Sequence, residues 1–203
     1  MRIGIFGGTF DPPHLGHLIL AAEALDQLGL DRLLWVLTAH PPHKLRQPIS
    51  ETSLRQEMVV AAIRDTARFE LSRVEIDRPG PHYAVDTIRL LQEQYPQDGL
   101  FYLMGGDSLR DLPTWYKPQE LVERVTGLGV MRRPGASIDT LELEAALPGI
   151  TNKVQFFETP RLDISSSDIR HRIETCRPYR YFLQPAVYDL IQKHRSYQGI
   201  SSQ

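Results

Sequence analysis

The chain has 203 residues, 41% of them apolar and 24% charged, with 23 Lys and Arg against 25 Asp and Glu and a formal charge of −2. That length buries a full core without staples, and the near-balanced charge excludes a bulk polyanion such as nucleic acid as partner. A single cysteine, Cys176, excludes an intrachain disulfide and a cysteine-built metal cluster.

In chain order the patterns predict a strand at Arg2–Phe6, a helix at Leu15–Leu28, a strand at Arg32–Leu37 and a helix at Leu54–Thr66. A strand at Phe69–Ile76, a helix at Ala84–Gln94, a strand at Leu100–Met104 and a helix at Pro118–Val125 follow. Strands at Gly127–Met131 and Val154–Phe157 and helices at Ser167–Glu174 and Pro185–His194 complete the chain. Ser53 with Gln56 has the form of a capping box at a helix start. This alternation implies βαβ units, a parallel sheet and right-handed crossovers. The expected organisation is one domain over 1–203, with an α/β core to residue 160 and a small C-terminal helical appendage over 161–203. No apolar run approaches the roughly 20 residues of a membrane helix. The opening run is also too short for a signal peptide. The reading is therefore a cytoplasmic protein with no membrane partner.

Ligands of such sheets sit beyond the carboxyl ends of the strands. Four informative loops fall there: 7–17 after the first strand, 38–44 after the second, 105–108 after the fourth and 132–135 after the fifth. In the first, Gly7-Gly8-Thr9-Phe10-Asp11-Pro12-Pro13-His14-Leu15-Gly16-His17 gathers a Gly-Gly turn, a hydroxyl and two histidines at a helix start. Backbone N–H groups there suit phosphate. His14 and His17 also read as surface or N-cap residues, or as half of a zinc site that would need a third ligand. Gly7-Gly8 does not fit the G-x-G-x-x-G dinucleotide fingerprint, so hydride chemistry is not indicated. His43-Lys44 reads as a solvated loop or as a point charge aimed at phosphate. Gly105-Gly106-Asp107 reads as a strand-to-helix turn or as a ribose contact. Trp115-Tyr116 reads as core or as a stacking platform. Ser165-Ser166-Ser167-Asp168 reads as an N-cap that also offers N–H groups to an anion, with Arg170 one turn in.

Two elements, His14-Leu15-Gly16-His17 and Ile164-Ser165-Ser166-Ser167-Asp168-Ile169-Arg170, resemble the H-x-G-H and I-S-S-T-x-x-R-like marks of the nucleotidylyltransferase superfamily. Finer marks resemble the bacterial nicotinate-nucleotide adenylyltransferases. They are Gly7 to Pro12, Pro41-Pro42-His43-Lys44, Tyr83 with Val85-Asp86-Thr87, Gly105 to Leu109, Pro113 to Tyr116 and Arg133-Pro134-Gly135. The stretch before Pro41 looks shorter than usual in that family. His82 and Ala84 flank Tyr83 where a serine and a threonine are usual, and Ser167 stands for a threonine.

The resemblance implies a Rossmann-like, doubly wound fold and adenylyl transfer from ATP to nicotinate mononucleotide, giving deamido-NAD and pyrophosphate. Mg²⁺ would be carried mainly by the ATP phosphates. His14, His17 and Arg170 are the expected catalytic groups. ATP is expected at Gly7, Gly8, Thr9, Phe10, His14, His17, Gly105, Asp107, Ile164, Ser165, Ser166 and Arg170. The mononucleotide is expected at Thr9, Lys44, Thr87, Trp115, Tyr116 and Arg133. Trp115 would stack on the pyridine, and N–H groups near Thr87 and Tyr116 would receive its carboxylate.

Overall fold

Strands that run apolar without alternation must be covered on both faces, and β2 (Arg32–Leu37) shows why. Its Leu33, Trp35 and Leu37 enter one core cluster, while Leu34 and Val36 enter the other. The computed structural model describes residues 1–39, 49–132 and 139–198. Within them, β1 (Arg2–Gly8), β2, β3 (Phe69–Ser72), β4 (Gly99–Gly105), β5 (Gly127–Arg132) and β6 (Val154–Glu158) form one sheet. All pairs are parallel, in the order β3-β2-β1-β4-β5-β6.

The helices are α1 (Leu15–Gln27), α2 (Thr52–Ile63), α3 (Ala84–Gln94), α4 (Gly106–Asp111), α5 (Pro118–Arg124), α6 (Thr140–Ala146), α7 (Ser166–Glu174) and α8 (Pro185–His194). One face of the sheet buries side chains of α1, α2, α7 and α8; the other buries those of α3, α4, α5 and α6. The C-terminal helices thus share the core under α1 and α2, through Ile169, Ile173, Val187 and Ile191. Strand order reverses between β1 and β4, which opens a crevice above their carboxyl ends. Among the described residues, no helix is long and apolar enough to cross a membrane.

Three local expectations are corrected. The third strand stops at Ser72, not Ile76, because the chain turns: the N–H groups of Ile76 and Asp77 both donate to Arg73 O. The Ser53 capping box does not form. Helix α2 starts at Thr52 after Glu51, which makes no side-chain cap. Short helices α4 and α6 lie in segments where no helix was expected; Asp139 caps α6 by accepting from the N–H groups of Leu141 and Glu142.

The start of α2 is set by Arg55 instead. This arginine is 1% exposed, and its guanidinium works as a five-way clamp. Nε donates to Ser50 O at 2.9 Å; Nη1 donates to Thr9 O at 3.0 Å and Thr38 O at 2.8 Å. Nη2 donates to Ala39 O at 2.9 Å and Thr52 Oγ1 at 3.2 Å. One side chain thereby fixes the turn after β1, the end of β2 and the approach to α2. Arg55→Ala is expected to cost about 3–5 kcal/mol, since it strands buried acceptors. Arg55→Lys keeps the charge but not the fork, and is expected to recover only part of that loss. Denaturant midpoints at constant m check both.

Candidate active site

The turn after β1 is held from three sides. Phe10 adopts φ 46°, a left-handed conformation that costs a residue with a side chain and persists only when its surroundings impose it. Its ring is buried against Phe6, His17 and Trp35, with centroids 5.4, 5.1 and 5.0 Å away. A Cβ on Gly8 would lie 2.7 Å from that ring, so only glycine fits there. Arg55 holds Thr9 O. Asp11, itself buried, accepts from Tyr197 Oη at 2.6 Å and from Ser50 N–H at 3.2 Å. Tyr197 lies beyond α8, so the C-terminal segment ties directly to this turn.

His14 is the N-cap of α1 and His17 stands one turn in. Their rings stack at 3.7 Å with an interplanar angle of 24°. His17 Nδ1 accepts the His14 N–H at 3.2 Å. Neutral His17 therefore carries its proton on Nε2, a tautomer assigned from that hydrogen bond. Burial pushes the His14 imidazole down from 6.5 to about 4. It is thus neutral near pH 7, and the stacked pair avoids two facing cations. Gly16 makes room for the stack: a Cβ there would come within 3.1 Å of the His14 ring and 3.8 Å of Ile164. With His17 Nδ1 occupied and the rings parallel, the pair is not arranged to chelate zinc. Among the described residues, no group of three or more His, Cys, Asp or Glu could hold a metal ion.

Two cavities flank the carboxyl end of β1. The first, about 670 Å³, is lined by His14, Gly16, His17, Gly105, Asp107 and the start of α7, Ile164 to Ser167, with Arg170. His17 and Arg170, 153 positions apart in the chain, thus face one space. Arg170 is anchored by donating from Nη1 to Asp11 O at 2.7 Å. Ser165 caps α7 by accepting from Asp168 N–H at 3.0 Å, and Ser166 Oγ donates to Pro12 O at 2.9 Å. The serine run therefore performs the N-cap role and also docks α7 onto the β1 turn. The N–H groups of Ser166 and Ser167 have no partner within the helix, and both residues line the cavity.

The second cavity, about 730 Å³, is lined by Gly7, Gly8, Thr9, Tyr83, Ala84, Thr87, Trp115 and Tyr116, among others. Tyr83 and Tyr116 pack at 4.3 Å, and Trp115 lies edge-on to Tyr102 at 6.1 Å. These rings give the cavity an aromatic wall. The Thr87 N–H is already committed, donating to Tyr83 O at 3.1 Å. The N–H groups at the start of α3 that have no helical partner are those of Ala84 and Val85.

Of the residues expected at ATP, His14, His17, Gly105, Asp107, Ile164, Ser165, Ser166 and Arg170 share the first cavity. Gly7, Gly8 and Thr9 line the second, and Phe10 lines neither. Thr87, Trp115 and Tyr116 line the second with Thr9. Lys44 and Arg133 lie outside the described residues. Sequence reasoning missed Arg55, Tyr197, and the second cavity's Glu75, Tyr102 and Lys117, and marked His82 only as a departure beside Tyr83.

His14 makes acid sensitivity testable. The unfolded chain binds a proton at this residue near pH 6.5, the folded chain only near pH 4. Its contribution is undiminished above pH 6.5 and is lost as pH falls from 6.5 to about 4. The stability difference between wild type and His14→Asn is therefore expected to move in the variant's favour over that window, read from denaturant midpoints.

Residues 5–172 match the cytidylyltransferase-like family. The chain is 44% identical to a probable nicotinate-nucleotide adenylyltransferase of Thermus thermophilus, over 97% of this chain and 100% of that one. It is 38% identical to the nicotinate-nucleotide adenylyltransferase of Bacillus subtilis, over 98% and 99%. The fold is similar to that of Plasmodium falciparum nicotinic acid mononucleotide adenylyltransferase complexed with NaAD. The TM-score is 0.76 over 97% of each chain, at 20% identity. On the near-full-length relatives, the chain belongs to the nicotinate-nucleotide adenylyltransferase family, as its motifs led one to expect.

Proposed function

We propose that this enzyme transfers the adenylyl group of ATP to nicotinate mononucleotide, forming deamido-NAD and releasing pyrophosphate, a step of NAD biosynthesis. One observation carries the reading: two cavities of different chemistry, one set with His17, Arg170 and a helix N-terminus, the other with Trp115, Tyr83 and Tyr116, lie along β1, the first reaching its Phe6 and the second its Gly7 and Gly8. A triphosphate suits the first and a pyridine ring the second. The phosphates of the two substrates then meet over Gly8 and Thr9.

The acceptor phosphate is largely dianionic near pH 7, so its oxygen attacks the α-phosphorus without a general base. The bond to the β-phosphate breaks, and pyrophosphate leaves with that bridging oxygen. What the protein supplies is alignment of two anions and stabilisation of charge on the oxygens around phosphorus. His17 Nε2–H is placed to donate to the α-phosphate. Arg170 and the α7 N-terminus hold the leaving pyrophosphate, with Ser165 and Ser166 fixing that terminus. His14, kept neutral, orients His17 and contacts the phosphate chain. Gly105 and Asp107 are set to receive the adenosine ribose. Lys44 and Arg133 would add positive charge where the substrates meet. Mg²⁺ would arrive with the triphosphate, held mostly by substrate and water oxygens. Trp115 stacks on the pyridine, and the free N–H groups of Ala84 and Val85 suit its carboxylate better than that of Thr87.

Pyrophosphate release from MgATP with nicotinate mononucleotide tests the reading, and its absence would refute it. His17→Ala is expected to lower kcat by about 100- to 1,000-fold with little change in KM for ATP. A raised KM at unchanged kcat would remove His17 from the chemistry. Trp115→Ala is expected to raise KM for the mononucleotide about tenfold, the scale of a lost stacking contact.

A further inference from the structure

The C-terminal segment reaches the β1 turn along a backbone that is costly to adopt. Helix α8 ends where the Arg195 N–H donates to Gln192 O at 3.2 Å and the Ser196 N–H to Ile191 O at 3.1 Å. Arg195 then takes φ 49° and Tyr197 φ 63°, left-handed conformations that persist in residues with side chains only when their surroundings impose them. The Tyr197 ring packs against the core shared by α1 and α2, and its Oη donates to Asp11 Oδ1 at 2.6 Å.

Asp11 is where that bond acts. Its two carboxylate oxygens accept from Tyr197 Oη and Ser50 N–H, while its main-chain oxygen accepts from Arg170 Nη1 at 2.7 Å. One buried residue thus holds a guanidinium by its carbonyl and carries, on its own side chain, the anion that competes for that guanidinium. Carboxylate–guanidinium pairing is strong and often bidentate, and it draws the donor fork away from other anions. Arg55, whose charge is also coupled to Asp11, has all five N–H groups committed to other acceptors. Arg170 spends Nη1 on the turn and otherwise lines the first cavity. An unheld Asp11 carboxylate therefore has Arg170 as its open partner. Tyr197 meets that competition with a neutral donor. Burial first, then the Asp11 charge, push its hydroxyl above the ordinary phenol range, so it stays protonated near pH 7.

We propose that Tyr197 is a positioning residue for the leaving group: its hydroxyl keeps the Asp11 carboxylate from pairing with Arg170, so that the guanidinium stays free for pyrophosphate. This rests on the assignment of Arg170 to the leaving pyrophosphate. Without the hydroxyl, the Asp11 carboxylate pairs with Arg170, offsets its charge and draws its N–H groups out of the first cavity. The loss then falls on the triphosphate and on pyrophosphate, and spares the mononucleotide, whose ring is assigned to the second cavity.

The test is Tyr197→Phe, which keeps the ring and removes one oxygen, assayed in both directions of the reaction. kcat/KM for ATP is expected to fall about tenfold and KM for pyrophosphate in the reverse direction to rise about tenfold, the scale of one charge-assisted contact. KM for nicotinate mononucleotide and for deamido-NAD is expected to stay within about twofold. Coupling separates positioning from plain structural support. In an Arg170→Ala background, Tyr197→Phe is expected to change kcat/KM for ATP by less than about twofold. Unchanged kinetics in Tyr197→Phe overturn the proposal, as do equal losses in the two backgrounds or a loss that falls on the mononucleotide as much as on pyrophosphate. Tyr197→Met fills the same seat with a flexible apolar chain and carries the same expectations if the Phe variant does not fold. Failure of both to fold would assign the hydroxyl to the fold alone and overturn the proposal too. No pyrophosphate release by the wild type would instead refute the assigned activity, which keeps the two failures distinct.

Discussion

Two anions can be aligned for reaction only against a wall that offers fixed donors and does not give way. In this protein that wall is the turn after β1, and α2, α7 and the C-terminal segment are bound to it. Arg55 holds its Thr9 carbonyl, Arg170 its Asp11 carbonyl and Ser166 its Pro12 carbonyl. Tyr197 and Ser50 N–H hold the Asp11 carboxylate. The left-handed Phe10 survives because these contacts and its aromatic neighbours leave it no alternative. Site and stability are therefore coupled here: the contacts that fix the turn also join α2, α7 and the C-terminal segment to the sheet.

The two sides of that wall differ in kind. On the side of the first cavity the polar groups are backbone N–H groups, one guanidinium and an imidazole whose proton position is set by its neighbour's main chain. On the other side they are rings, together with threonines and the buried Glu75 and His82. A charged, flexible triphosphate calls for the first set, and a rigid aromatic cation with one polar substituent calls for the second. The sheet provides both because its strand order reverses at β1 and β4.

Much of this was legible before any coordinates. The strands, the long helices and the position of segments 7–17 and 105–108 after the first and fourth strands follow from uninterrupted apolar runs and turn residues. The H-x-G-H and serine-run elements marked the first cavity, since each needs particular residue types at a helix start. What escaped detection escaped for physical reasons. Glu75 sits between Val74 and Ile76, an alternation that imitates a strand, while two main-chain bonds to Arg73 O make a turn. Arg55 carried a readable signal: it occupies the buried stripe of α2 with Met58, Val59 and Ala62, where a charge has no place unless it is fully engaged. Tyr197 could not be found, because nothing local records a contact with Asp11 across 186 positions. Thr87 lines the second cavity, yet its N–H is spent inside α3. Which donor of a helix terminus is free depends on where the helix begins, and sequence patterns fix that only to within a residue or two.

The central claim is that one dinucleotide spans both cavities across the end of β1. A crystal structure of this protein with deamido-NAD bound tests it most directly. The account requires the nicotinate ring against Trp115, the adenosine beside Gly105 and Asp107, and the linking phosphates over Gly8 and Thr9 within reach of His17. A product lying wholly in one cavity, or with its phosphates remote from His17, would contradict it.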